Sequence, residues 1–252
     1  MKQALHISWI AVRELIYERV FHLLFSFIGL ALILSVLLGQ LTYGEQTKLT
    51  IDFMLGSAHI AMILFSIFMG ISLFQRELQM GSISMLLSKP VSRTSFLAGK
   101  YLGQILVQLG VMLAITGIII LSLLRFEGVQ YIPILQALLL MFFESCIVTA
   151  ITYFFSVNSG SITTALSSFV MFVIGHYSFS SSHSKSLSSK PGTEIILSLV
   201  PNLEIFNLKT FASYGVTTSN LEIILSMSYA LICIVMFLVA AALTFHRKDI
   251  LT

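Results

Sequence analysis

The chain has 252 residues, of which 57% are hydrophobic and only 10% charged, with a net charge of +3 and a mean hydropathy of +0.96. That is far too apolar for a water-soluble domain of this length, and the apolar runs of about 20 residues suit membrane-crossing helices rather than the alternating strands of about 10 residues found in barrels. The modest positive charge lies in segments flanking the apolar runs, so no nucleic-acid surface is indicated.

Residues 2–22 place Leu5, Trp9, Val12, Ile16 and Val20 on one helical stripe, with Arg13 and Arg19 at its flanks and Glu14 and Glu18 opposite. This pattern predicts a helix lying in the membrane interface, its apolar face in lipid and its arginines reaching for headgroups. No cleavable signal is expected, because a long amphipathic segment precedes the first apolar run and no small-residue site follows it. A first span is predicted over 23–41 and a second over 53–74, joined by a loop containing Glu45, Lys48 and Asp52.

The polar stretch 75–98 carries the most information. Gly81 is a poor residue for a helix interior, Pro90 cannot continue a helix, and Ile83, Met85, Leu86 and Leu87 lie between them. Two readings follow. The segment is a short surface helix whose apolar side chains dock into a groove on a soluble partner, or it is a basic turn that only fixes orientation.

A third span is predicted over 101–124, with Gly99, Gly103, Gly110 and Gly117 on one face where a neighbouring helix backbone can approach. The fourth, 134–155, carries Glu144 near its middle and a side of Ser145, Thr149, Thr152 and Ser156. A central carboxylate is disfavoured by roughly 2.5 to 3.5 kcal/mol on insertion scales, so it must face protein or water. Glu144 then either lines a substrate path or packs between helices, hydrogen-bonded to neighbouring hydroxyls. The fifth span is predicted over 162–179. Residues 180–220 form an external loop, serine-rich at first and then, around Pro201, broken into short helical pieces that re-enter the outer leaflet or lie on it. The last span, 221–245, ends in His246, Arg247 and Lys248.

Basic residues set the orientation. With six spans and both termini in the cytoplasm, nine lysines and arginines fall inside and five (Lys48, Arg125, Lys185, Lys190 and Lys209) outside.

The order E-x-x-x-G-S, then L-L-S-K-P-V-S-R, then G-K-x-x-G resembles the signature of ABC-2 type permeases, the membrane subunits of one class of ATP-driven transporter. The resemblance falls on Glu77, Gly81, Ser82, Leu86, Leu87, Ser88, Pro90, Arg93, Gly99 and Lys100, and extends more loosely over residues 1–252 as a single domain. It implies that residues 75–98, including Ile83, Met85 and Lys89, form a cytoplasmic coupling element that fits a cleft on a separate ATPase subunit. It also implies that the N-terminal helix contacts that subunit. The implied assembly is an exporter in the bacterial inner membrane, built on two permease subunits, identical or close paralogues. ATP and magnesium are expected in the partner and no cofactor in this chain. Relatives of this small form serve copper-site maturation, gliding motility and drug or peptide export, and no residue read so far chooses among them.

Other chemistries lack their patterns. Gly99-Lys100 is followed by Tyr101, so there is no phosphate-binding loop. The six histidines include no pair at ligand spacing on one span, and Cys146 and Cys233 stand alone inside apolar runs, so no metal site is expected. The alternatives kept open are a membrane scaffold without its own transport path, and a secondary transporter, disfavoured by the lack of repeated broken helices.

Overall fold

The computed structural model describes residues 2–40, 45–79, 93–126, 128–182 and 200–247. Among these residues the chain is all-helical. It forms α1 (Lys2–Tyr17), α2 (Arg19–Gln40), α3 (Gln46–Gln79), α4 (Arg93–Leu123), α5 (Tyr131–Asn158) and α6 (Ser161–Ser182). A single 3-10 turn (Glu204–Phe206) and the short α7 (Lys209–Ser213) then lead into α8 (Asn220–Arg247).

Five helices (α2, α3, α4, α5 and α8) are long and apolar enough to cross a membrane, and α6 carries a shorter apolar stretch, Ser161–Tyr177. Their side chains sort by position. α5 is the axis of the bundle: Ile147, Val148, Ala150, Ile151 and Tyr153 are fully buried, and so are its polar residues Glu144, Ser145, Thr149, Thr152 and Ser156. α3 is buried along much of its length, whereas α2 and α8 turn Leu23, Leu30, Ile33, Leu221, Leu231 and Ile232 outward. Leucine and isoleucine gain nothing from water, so an outer layer of this composition is a surface made for lipid.

Several boundaries differ from the sequence expectation. The N-terminal amphipathic segment is two helices, because the chain breaks at Glu18 and residues 19–22 open the first span helix. On α1, Ser8, Ala11 and Leu15 are buried while Trp9 and Ile16 are exposed. Of the stripe expected to meet lipid, Trp9 and Ile16 face outward but Val12 and Val20 are partly buried against the core, and the face carrying Ser8 and Ala11 packs on α4. There Gly103 allows the contact, since a Cβ on it would lie 2.6 Å from Ala11 Cβ and 2.7 Å from the Ser8 carbonyl oxygen. Gly110 and Gly117 have open space beside them, so only one of these three glycines serves a close approach within this chain.

The second span helix begins at Gln46, seven residues earlier than expected. Polar residues 46–52 read as loop, but the segment after α6 folds over them. Ser213 donates to Asp52 Oδ1 at 3.2 Å, and Lys48 Nζ lies 4.9 Å from the centre of the Tyr214 ring.

Candidate functional site

Glu144 sits midway along α5 with no solvent exposure, and its partners come from other helices rather than from nearby hydroxyls. His59 Nε2, on α3, donates to Glu144 Oε2 at 2.9 Å. His176 Nε2, on α6, donates to Glu144 Oε1 at 2.7 Å. The chain of contacts continues at both ends. His176 Nδ1 donates to Glu204 Oε2 at 2.8 Å, and Lys209 Nζ donates to His59 Nδ1 at 3.0 Å.

Counting donors and acceptors fixes the protons. Lysine has only donors, so His59 Nδ1 must accept and His59 is the neutral tautomer with its proton on Nε2. His176 faces a carboxylate oxygen at each nitrogen, and with both acids ionised it carries both protons as an imidazolium. The five groups then sum to zero charge, two acids against Lys209 and His176. A buried charge needs such pairing, because an isolated carboxylate in an apolar interior is strongly disfavoured.

The segment after α6 completes this network. Gly175 makes room for it: a Cβ there would lie 2.9 Å from the Leu203 side chain and 2.9 Å from the Pro201 carbonyl oxygen, and the Leu203 N–H donates to the Gly175 carbonyl at 3.1 Å. Leu203, Phe206 and Ala212 are buried against the bundle. Asn202 Oδ1 accepts from the Glu204 N–H at 3.1 Å, and Asn207 Nδ2 donates to Glu204 Oε1 at 2.9 Å, so the acid is held in place from two sides.

Above the network lies an open cleft of about 490 Å³, lined by His59, Ile60, Phe172, Val173, His176, Tyr177, Glu204 and Lys209. Glu144 closes its floor from below through the two histidines. The cleft thus presents two imidazoles, one acid and one amine beside aromatic and aliphatic walls.

The hydroxyls that the packing alternative offered as partners of Glu144 do other things. Ser145 Oγ donates to the Phe142 carbonyl and Thr152 Oγ1 to that of Val148, both within α5. Thr149 belongs to a second buried polar set: its Oγ1 donates to Gln108 Oε1 at 3.2 Å, Gln108 Nε2 to Ser66 Oγ at 2.7 Å, and Gln104 Nε2 to the Ser66 carbonyl at 3.0 Å. Toward the end of α3, Gln75 Nε2 donates to the carbonyls of Ser156 and Ser159. These amides bind α3, α4 and α5 to one another.

Of the coupling residues read from the sequence, Gly81, Ser82, Ile83, Met85, Leu86, Leu87, Ser88, Lys89 and Pro90 lie outside the described residues, as do the side chains of Glu77 and Arg93. Lys100 is described. It is nearly fully buried and pairs with Glu14 of α1 at 2.7 Å, fastening α1 beside the beginning of α4. Sequence reasoning missed His59 and His176 as partners of Glu144, and Glu204 and Lys209 as the groups behind those histidines. The available signal was a titratable side chain in each of three separate apolar runs.

An all-helical bundle with lipid-suited outer faces and a neutralised ionic network at its centre is a multi-pass membrane protein. The chain belongs to the ABC-2 family of transporter proteins: the family described as ABC-2 family transporter protein matches residues 5–250. It is therefore the membrane permease component of an ABC transporter. A search of curated proteins finds no match.

Proposed function

We propose that this permease works in an ATP-driven exporter of a bacterial inner membrane, crossing the bilayer six times with both termini in the cytoplasm and α6 as the short fifth span. Two such subunits, identical or paralogous, pair around the substrate path. Each rests on a separate ATPase that holds ATP and magnesium. In this arrangement α3 and α5 start on the outer side. His59 and Glu144 each lie about 20 Å along their helices from those starts, at 1.5 Å per residue, and the cleft opens outward.

The observation that supports this reading best is how the two helices flanking residues 80–92 are held. α3 is bonded to the end of α5 through Gln75, and α4 to α1 through Lys100 and Glu14. A push on the segment between them is passed to four helices at once. Ligand energy shifts a conformational equilibrium only through contacts that differ between states, so residues 75–93 must meet the ATPase differently as it opens and closes.

Co-purification of the ATPase tests this. Burying one leucine is worth roughly 1.5 to 3 kcal/mol, so replacing two by aspartate weakens docking by orders of magnitude. Leu86→Asp with Leu87→Asp is expected to leave the protein inserted but without its ATPase, whereas Glu77→Ala keeps partial docking and uncouples hydrolysis from transport. If the double variant retains its partner as tightly as the unaltered protein, the coupling assignment is wrong and a scaffold role becomes the better reading.

A further inference from the structure

The groups at the floor of the cleft are a ligand set as well as a hydrogen-bond network. His59, Glu144 and His176, each on a different helix, can each offer one ligand atom such that the three atoms lie within 4.8 Å of one another. Two imidazoles and one carboxylate are the donors that suit a first-row divalent ion such as zinc or cobalt. An ion held at 2.0 to 2.2 Å from each needs its ligand atoms about 3.4 Å apart. The two nitrogens stand 2.9 Å from one carboxylate oxygen and 2.7 Å from the other, and no two of the ligand atoms are more than 4.8 Å apart, so shifts of about 1.4 Å or less bring the set onto an ion.

Two further features point the same way. His176 turns its other nitrogen to Glu204 at 2.8 Å, the carboxylate–histidine arrangement that orients a ligating imidazole and raises its basicity. The site also opens on the cleft, which gives an ion its entry path and leaves coordination positions for water or a bound molecule. Glu144, by contrast, is fully enclosed, so its charge is available only to what arrives between the histidines.

We propose that His59, Glu144 and His176 form a binding site for one divalent first-row transition ion at the floor of the cleft, with Glu204 supporting His176 from behind. In the ion-free arrangement the cationic His176 and Lys209 balance the two acids. The ion takes over that role: His176 gives up its Nε2 proton to solvent, and the ion binds the freed lone pair. His59 moves its single proton from Nε2 to Nδ1, and half-buried Lys209 swings out into the cleft that it lines. Ion binding ties α3, α5 and α6 together through three coordinate bonds. Lys209 therefore competes with the ion, a behaviour that a purely structural network does not predict.

Tag-free protein, purified in detergent and stripped with chelator, is titrated with cobalt(II), and its ligand-field absorption and the cobalt bound per chain are measured. One ion per chain with tetrahedral or five-coordinate absorption is expected, displaced by zinc. His59→Gln and His176→Gln are each expected to weaken binding by about a hundredfold or more, since losing a ligand costs more than the roughly 10- to 100-fold loss of a supporting partner. Lys209→Ala is expected to tighten it roughly tenfold by removing a like charge. Lys209 is not a ligand, so this variant decides the matter even if a histidine variant does not fold. Absence of stoichiometric cobalt absorption in both the unaltered protein and Lys209→Ala overturns the proposal. So does undiminished binding in both histidine variants, or a Lys209→Ala affinity no tighter than that of the unaltered protein. None of these readouts involves the ATPase, so the result stands apart from the coupling experiment.

Discussion

Replacing Glu144 in two ways separates a charge network from simple packing. With Glu144→Ala, His59 and His176 both lose their acceptor inside the bundle, and His176 is left as a cation with only Glu204 beside it. Breaking a buried ion pair from one side costs about 3 to 5 kcal/mol. With Glu144→Gln the donors can be rearranged: His59 Nε2–H donates to the amide oxygen, and the amide nitrogen donates to His176 Nε2. His176 becomes neutral and keeps its Nδ1–H on Glu204. Every hydrogen bond survives, and the cost falls to about 1 kcal/mol. For a chain of this length each kcal/mol moves the melting midpoint by about 2 to 4 °C, so the alanine variant should melt roughly 5 to 15 °C below the glutamine variant. The assay is loss of the monodisperse size-exclusion peak after heating in detergent with chelator present. Alanine and glutamine variants that melt within about 2 °C of each other would refute the buried-pair argument.

Gly175→Val should dislodge the segment that carries Glu204 and Lys209, because even a Cβ would lie 2.9 Å from the Pro201 carbonyl oxygen, a backbone atom that cannot step aside alone. Overpacking of this kind costs about 1 to 3 kcal/mol, and the expected signature is faster amide exchange over residues 203–213; unchanged protection there would rule it out. For the six-span topology, single cysteines at Gln46, Gln130 and Ser186, in a background lacking Cys146 and Cys233, should react with an impermeant thiol reagent in intact cells. Those at Ser92 and Asn158 should not, and labelling at Ser92 from outside would overturn both the orientation and the coupling segment.

The spans were legible because apolar runs of bilayer length admit few alternatives, and the oddity of Glu144 was legible because an acid stands in one of them. Its partners were not. His59 is 85 positions from Glu144 and His176 is 32, and no periodicity relates residues on separate helices. The alternative that paired Glu144 with hydroxyls differs from the structure for a local reason: Ser145 and Thr152 on a helix return their hydrogens to carbonyls of the preceding turn. The start of α3 was hidden in the same way. Lys48 and Asp52 look like loop residues until the chain more than 150 positions later supplies Tyr214 and Ser213 to cover them. The glycine series on α4 promised one shared contact face, but Ala11 and Ser8 of α1 approach at Gly103, whereas Gly110 and Gly117 have open space beside them.

The two polar sets have different mechanical consequences. Gln75, Gln104, Gln108, Ser66 and Thr149 exchange neutral amide and hydroxyl bonds deep between α3, α4 and α5, and Thr152 Cγ2 would stand only 3.0 Å from a Cβ at Gly70, so these helices interlock. Bonds between neutral groups have no charge state to change. The link from α5 to α6 and the segment beyond it is of another kind, passing through His59, Glu144, His176, Glu204 and Lys209, whose charges balance only while all five are in place. A cation or a charged molecule entering the cleft alters that balance directly. α3, α4 and α5 thus form one interlocked body. α6 with residues 200–213 is held to that body through the charged groups around the cleft. The Gly175 and Glu144 variants bear on this division from opposite sides, one by displacing the segment and the other by removing the charge that holds α6 to α5.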